Sequence, residues 1–316
     1  MNTDQTDSKP TASFVLIAYR QEKFVRAAVE GALAQTYSPL EIVLSDDCSP
    51  DGTFEIMKEL AAAYKGPHRI ILNRNEINLG IAGNFNRAVS LASGKYIVIA
   101  AGDDISLPER TEQSVRMLEE NPGFACVSYE RRFIDADGNE FKPRHYNAHK
   151  PQMAVYTLKD YVRDFRFHLD GPARTFRRSV FDKFGTLRDD CPTEDSTMLL
   201  RCIMTGSACH CGTPLILYRM HGDNLSSSAG MRRMPNTRIF RQFLHDIAVA
   251  RREKLVADKD LALIRNKVRN DVTRRILSSK MAGAGSPTGF WIRTILPSGL
   301  FSPREKLSLL RSAFRS

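Results

Sequence analysis

Two adjacent carboxylate pairs, Asp46–Asp47 in SDDCSPDGT and Asp103–Asp104 in GKYIVIAAGDDISLP, each follow directly on a run of apolar residues. A third acidic pair, Glu194–Asp195 in PTEDSTMLLR, opens a segment with helical spacing of apolar residues. Carboxylates supply the oxygen ligands that magnesium and manganese prefer, and a carboxylate within reach of a hydroxyl can take its proton. Each pair also has an ordinary structural use. An isolated Asp after a strand most often begins a turn or caps a helix, and acids in the first turn of a helix are favoured by its dipole by about 0.3 to 1 kcal/mol. Two pairs delivered to one place are harder to explain as turns, so the positions of the strands decide the matter.

Those strands are readable as short apolar runs. SFVLIAY (Ser13 to Tyr19), LEIVLS (Leu40 to Ser45), RIIL (Arg69 to Leu72) and YIVIAA (Tyr96 to Ala101) have buried-strand length. Between them Phe24, Val25, Ala28, Val29, Ala32 and Leu33 recur at helical spacing, as do Met57, Leu60, Ala61 and Tyr64, and then a stretch from about 82 to 92. Repeated β-α-β units whose strands are apolar on both faces predict a mostly parallel sheet with helices on both sides. Ligands of such sheets bind beyond the carboxyl ends of the strands, which is where both Asp pairs fall. Further on, FACVSY (Phe124 to Tyr129) and the turn DADGNE predict a strand and hairpin, 192–206 a helix start, and PLILYRMHGDNLS (Pro214 to Ser226) a strand entering a polar loop.

Composition narrows the function classes. A chain of 316 residues with 42% hydrophobic content can bury a large core. From Ser226 to Ser316 there are 19 Lys plus Arg against 6 Asp plus Glu, a net +13, whereas Met1 to Leu225 has 27 against 30, a net −3. The basic excess therefore belongs to the C-terminal part alone. Six scattered cysteines in a chain of this size are expected to be reduced thiols. No signal-peptide pattern opens the chain, and no apolar stretch approaches the ~18 residues of a membrane span. A cytoplasmic protein is expected.

Five segments, VLIAYRQEKFVRAAVEGALAQTY, EIVLSDDCSPDGT, NLGIAGNFNRAVSLASGKYIVIAAGDD, PTEDSTMLLR and YRMHGDNLS, resemble in order and spacing the inverting family 2 glycosyltransferases of the GT-A fold, over roughly 13–226. The resemblance implies an α/β, Rossmann-like domain with a donor half at about 13–108 and an acceptor half at about 109–226. A flexible tail (1–12) precedes it and a basic helical segment (227–316) follows. It implies a nucleotide-sugar donor, a metal ion and a single displacement. Asp103, with Asp104 beside it and His221 of YRMHGDN, matches the family's metal site for Mn2+ or Mg2+, although Ala101 stands where the first acid of Asp-x-Asp would be. Asp46 and Asp47 match acids that contact the base and ribose. A carboxylate can accept the imide proton of uracil or thymine, so a UDP- or dTDP-sugar is favoured. Ala18, Tyr19 and Glu22 match residues near the base, with Arg20 replacing a common asparagine. Asn78 and Gly80 match a loop near the nucleotide, or form a turn. Asp195, with Glu194 beside it, matches the base that activates the acceptor hydroxyl.

The implied acceptor is a glycan or lipid-linked glycan of cell-surface polysaccharide synthesis. In the basic segment, Ile239, Phe240, Phe243, Leu244 and Ile247 form one apolar stripe and Leu261, Ile264, Val268 and Val272 another, both expected to pack on the domain. GFWIRTILPSGLF and the SPRE helix start mix apolar and basic residues in a way that suits the surface of an anionic membrane, at the inner face of the cell membrane. Three rivals remain. A sugar-nucleotide pyrophosphorylase would carry a Gly-rich basic loop that IAYRQEKF lacks. A nucleic-acid-binding protein is not expected, because no aromatic stacking platform interleaves the basic residues. A non-catalytic relative that binds donor without turnover would share every motif.

Overall fold

The computed structural model describes residues 9–143, 151–163, 169, 171–222 and 235–281, together with 303, 306 and 307. The apolar runs form β1 (Ala12–Ala18), β2 (Leu40–Asp46), β3 (Arg69–Arg74) and β4 (Tyr96–Ala101), connected by α1 (Val25–Leu33), α2 (Thr53–Ala63) and α3 (Gly80–Leu91). β1 pairs in parallel with β2 on one side and β4 on the other, and β2 pairs in parallel with β3. The order of the chain thus reverses at β1, which opens a crevice at the carboxyl ends of β1 and β4.

The second half continues the same sheet with mixed direction. Its elements are β5 (Ile105–Ser106), α4 (Arg110–Glu120), β6 (Phe124–Ile134), β7 (Glu140–Phe141), β8 (Met153–Tyr156) and α5 (Leu158–Val162). A 3-10 turn (Gly171–Ala173), β9 (Arg174–Arg177), α6 (Arg178–Phe184), α7 (Asp195–Thr205) and β10 (Ser207–Arg219) follow, then α8 (Asn236–Arg252) and α9 (Asp258–Met281). The strand order is β3-β2-β1-β4-β9-β6-β10-β5, with β7 on β6 and β8 on β10. The architecture is mixed α/β with a mostly parallel central sheet flanked by helices, as the alternation of patterns predicts.

β10 begins seven residues earlier than the run at Pro214 suggests, and takes in Cys209, His210 and Cys211, all buried. The Cys209 and Cys211 thiols lie 4.0 Å apart. All six cysteines are free, and among the described residues no three His, Cys, Asp or Glu side chains cluster as a metal site.

Alternation along the central strands sends side chains into two cores. Phe14, Leu16, Ile42, Leu44, Tyr96 and Val98 face one, with residues of α1 and α4. Val15, Val43, Ile97 and Ile99 face the other, where α3, α6 and α7 pack. Both amphipathic stripes of the basic segment lie in this second core: Ile239, Phe240, Phe243 and Ile247 from α8, and Leu261, Ile264, Val268 and Val272 from α9. At about 1.5 to 3 kcal/mol for each such side chain buried, α8 and α9 are integral to the packing of the domain. A buried ion pair adds direction to this contact. Arg201 of α7 reaches Asp246 of α8 through Nε–Oδ2 (3.0 Å) and Nη2–Oδ1 (2.9 Å), and its Nη1 donates to the Gly185 carbonyl at 2.7 Å. The expected tail at 1–12 lies outside the described residues up to 8. Beyond that point Tyr37 Oη donates to the Pro10 carbonyl (2.6 Å), and Lys95 N donates to that of Thr11 (2.8 Å), so the chain is tied down just before β1.

Candidate active site

Strand register brings the two Asp pairs to one edge. Ala18 sits opposite Asp46, and Ile17 opposite Ala101. Just past the strands, Asp47 N donates to the Ala18 carbonyl and Gly102 N to the Ile17 carbonyl, each at 3.0 Å. Asp46 is fully buried at the end of β2. Its Oδ2 accepts from Ser49 N (2.9 Å) and lies 3.7 Å from Arg74 Nε, while Oδ1 is buried with no hydrogen-bond partner among the described residues. An unpaired buried carboxylate oxygen is costly unless a ligand supplies the donor. Asp47 differs: its Oδ1 accepts from Asn75 Nδ2 and from Leu79 N, both at 2.8 Å.

The surrounding loops place the other expected nucleotide residues. Glu22 Oε2 accepts from Gly52 N (3.0 Å), which joins the loop after β1 to the one after β2. Ala18 is buried and Tyr19 is 39% exposed at the rim. Asn78 Oδ1 accepts from Gly80 N (3.0 Å), and Gly80 has φ +73°, so these two build the turn into α3. Arg20, where the resembling family has asparagine, has φ 56°. Asparagine enters this left-handed region more readily than other non-glycine residues, which gives the family's preference a backbone reason. Gln21 was not singled out by sequence; its Oε1 is buried without a partner among the described residues and faces Gly102, where any Cβ would collide with it.

Asp103 and His221 are brought together from opposite ends of the chain, with Oδ2 3.1 Å from Nε2. The two side chains are 15% and 11% exposed, which leaves the pair open to the crevice. The Phe24 ring packs on His221 at 4.6 Å, and the Arg219 guanidinium lies 5.0 Å from the Phe24 centroid. Phe24 reads in sequence as a helical core position, but the structure places it just before α1 as a wall of the site. Asp104, expected beside the metal, takes another place. It is buried, and its Oδ1 accepts from Arg219 N at 2.9 Å. Arg219 Nε also donates to the Asp103 carbonyl (3.0 Å), and Nη1 to the carbonyls of Asp135 (3.0 Å) and Ala136 (3.1 Å). Asp104 therefore braces the turn after β4 against β10, and the geometry leaves Asp103 with His221. Burial first, then the charge of Asp103, pushes the Asp104 carboxyl well above the usual carboxylate range.

The third acidic pair reaches the same edge through β9. Because β9 runs antiparallel to β4, with Val98 opposite Thr175, the 3-10 turn that precedes β9 lies toward the carboxyl end of β4. Buried Arg110 locks this junction: its Nη2 donates to the carbonyls of Ile99 (2.6 Å) and Pro172 (2.8 Å). Asp195 begins α7 against that turn. Arg174 Nη1 donates to the Asp195 carbonyl (2.5 Å), and Gly171 approaches so closely that a Cβ there would fall within the Asp195 carboxylate. Burial, then the charge of Asp195, pushes the Glu194 carboxyl well above its ordinary range.

Arg110, Arg174, Arg219 and Gly171 were absent from the sequence reading. Arg219 alone carried a signal, standing two residues before His221 at the end of an apolar run. The expected membrane-facing stretch from Gly283 to Ser316 lies outside the described residues, apart from 303, 306 and 307. No described helix is long and apolar enough to cross a membrane.

Comparison with known proteins shows the family and the fold. A family model described as Glycosyl transferase family 2 matches residues 13–185. An uncharacterized glycosyltransferase of Methanocaldococcus jannaschii, MJ1057, is 35% identical over 159 residues, covering 49% of this chain and 53% of that protein. The Escherichia coli UDP-Glc:alpha-D-GlcNAc-diphosphoundecaprenol beta-1,3-glucosyltransferase WfaP is 32% identical over 125 residues, covering 40% and 47%. The chain matches about half the length of these curated relatives. Among solved structures, Staphylococcus aureus TarS 1-349 in complex with UDP superposes with a TM-score of 0.60 at 15% identity, over 90% of this chain and 75% of that one. The mannosyltransferase PcManGT of Pyrobaculum calidifontis, in complex with GDP-Man and Mn2+, gives 0.55 at 17% identity, over 98% and 87%. At these identities the structural likeness concerns the fold.

Proposed function

The chain belongs to glycosyl transferase family 2; from that premise we propose that it is a glycosyltransferase carrying out an inverting, metal-dependent transfer from a UDP- or dTDP-sugar to a hydroxyl of a glycan or lipid-linked acceptor. The observation that carries the proposal is the convergence of Asp46, Asp103–His221 and Glu194–Asp195 on one carboxyl edge of the sheet. Asp46 Oδ1 is the acceptor offered to the imide N–H of uracil or thymine, which cytosine does not have. WfaP by its name uses UDP-Glc, and TarS was crystallised with UDP-GlcNAc, which supports a uridine donor here.

The residues present suit a hard cation. The Asp103 carboxylate supplies the oxygen that magnesium and manganese prefer and leaves the remaining positions to phosphate oxygens and water; the His221 imidazole beside it is a softer ligand than magnesium ordinarily takes. Asp103 and His221 would hold it, and when bound it would stabilise the charge of the departing nucleoside diphosphate; the Mn2+ in the PcManGT complex supports this reading. Arg219 fixes the turn that carries Asp103. Asp195 takes the acceptor's hydroxyl proton as that oxygen bonds to the anomeric carbon and the bond from carbon to the diphosphate oxygen breaks, inverting the centre. Glu194, whose carboxyl is pushed well above the usual carboxylate range by burial and then by the charge of Asp195, stands beside it.

The test is nucleotide release from UDP-, dTDP- and GDP-sugars with magnesium or manganese. Release from a uridine or thymidine donor that requires metal is expected. Asp195→Asn should lose about 10² to 10⁴ in rate, and Asp103→Asn should raise the metal concentration needed for half-maximal rate. Turnover by Asp195→Asn equal to wild type removes the assigned base, and no turnover with any donor favours the non-catalytic relative.

A further inference from the structure

The chain between α6 and α7 leads directly into Asp195, and its first part, 185–188, belongs to no helix or strand. Backbone groups in such a stretch have no ladder to pair with and must find side chains. Here they find three, each from a different helix. Asn86 of α3 clamps Leu187: its Nδ2 donates to the Leu187 carbonyl and its Oδ1 accepts from Leu187 N, each at 2.8 Å. Arg201 of α7 donates to the carbonyls of Gly185 (2.7 Å) and Thr186 (3.2 Å). Gln242 of α8 accepts from Arg188 N through Oε1 at 2.7 Å, and its Nε2 donates to Asp246 Oδ1 at 2.8 Å. Gln242 and Asp246 are both fully buried. Further hydrogen bonds carry this hold toward Asp195. Cys191 N donates to the Arg188 carbonyl (2.9 Å), and the Cys191 thiol donates to the Thr193 carbonyl (3.1 Å). Burial pushes that thiol up to about 11, so it keeps the hydrogen it donates. Thr197 Oγ1, in the first turn of α7, donates to the Glu194 carbonyl at 2.7 Å.

We propose that Gln242, together with Asn86, is a positioning residue for the base: the two amides fix the segment before α7 so that the Asp195 carboxylate meets the acceptor hydroxyl. The inference rests on Asp195 as the base. It makes α8 part of the apparatus that serves the reaction, although α8 lies beyond the residues 13–185 that the family model matches. An apolar side chain could fill the space of Gln242 and bury as much surface, but it would leave Arg188 N without that acceptor. Packing alone therefore has no need of the amide, whereas the placement of the segment does. The donor side is held by other partners: Asp46 by Ser49 N and Arg74, Asp47 by Asn75 and Leu79 N, and Asp103 beside His221. Loosening the segment should thus reach the chemical step and spare nucleotide binding.

The test is steady-state nucleotide release by the full chain carrying Gln242→Met, which keeps the volume and removes both hydrogen bonds, or Asn86→Ala. A misplacement of about 1 Å at a reacting group costs about 10²-fold, and a segment slackened at one remove from the base should cost about ten-fold in kcat. The donor KM of Gln242→Met and its affinity for UDP should stay at wild-type values. Val268→Ala controls for stability: it opens a cavity in the core that α9 shares with this segment and touches none of these hydrogen bonds. It should lower the melting temperature and leave kcat unchanged in the folded enzyme. On an Asp195→Asn background neither amide substitution should slow the reaction further. If Gln242→Met does not fold, Asn86→Ala decides by the same readouts. The proposal is overturned by wild-type kcat in the amide variants, by a raised donor KM in place of the loss in kcat, by an equal loss in Val268→Ala, or by the full loss persisting without the Asp195 carboxylate. Wild-type turnover by Asp195→Asn alone would overturn the base assignment, and the clamp with it; an inactive Asp195→Asn beside a fully active Gln242→Met overturns the clamp only.

Discussion

Gly171→Ala perturbs the proposed base without touching its charge. A Cβ built on Gly171 meets Oδ1, Cγ and Oδ2 of Asp195, far inside the 3.0 Å that real Cβ atoms respect. The colliding group is the free end of a side chain, not backbone, so the carboxylate can swing away while the 3-10 turn and α7 remain in place. To restore contact distance it must move by more than about 1 Å, and a displacement of that size at a reacting group costs about 10²-fold in rate, or about 2.7 kcal/mol of barrier. The prediction is therefore a kcat lowered about a hundred-fold, donor affinity unchanged, and a Tm within a few degrees of wild type. The assay is nucleotide release at saturating donor and acceptor, with binding of UDP followed by titration calorimetry. The double variant with Asp195→Asn supplies the control. If the glycine acts only by positioning Asp195, adding Gly171→Ala to Asp195→Asn lowers the rate no further. Full activity of Gly171→Ala, or full additivity of the two substitutions, would refute the assignment.

The pair at the start of α7 has a pH signature. Glu194 binds its proton more tightly folded than unfolded, so above about pH 4.3, the unfolded value, stability declines as pH rises toward the folded value. Glu194→Gln should abolish that decline in a series of thermal melts and retain most of the turnover that Asp195→Asn loses. Glu41 gives the opposite sign. Burial works to raise its pKa, but donors from Ser13 Oγ (2.5 Å), Ser93 N, Ser93 Oγ (2.9 Å) and Gly94 N (3.2 Å) prevail and hold it below 4.5. Its contribution is complete above pH 4.5 and is lost as pH falls through the lower folded value. Glu41→Gln should cost about 2 to 4 kcal/mol at pH 7 and less at pH 3, read by urea denaturation; an equal cost at both would contradict the ionised network.

The sequence by itself determined the parallel half of the sheet, because a strand buried on both faces must be apolar throughout and the helices between carry their own period. It also determined that Asp46, Asp47, Asp103 and Asp104 share an edge, since every parallel strand ends there, and that the stripes on α8 and α9 are inward-facing. Tertiary structure decided the rest. β5 and β9 are two and four residues long and carry no period of their own; they exist because longer neighbours offer them a hydrogen-bonding edge. Only the pairing of β10 with β5 and β6 brings Arg219 and His221 to residues more than a hundred positions earlier. That closure turns Asp104 inward and leaves Asp103 facing the crevice, a difference between two adjacent and chemically identical side chains that one-dimensional pattern cannot express. The same holds for Gly171, whose role is the space it leaves for Asp195, and space between distant segments is set only when they pack.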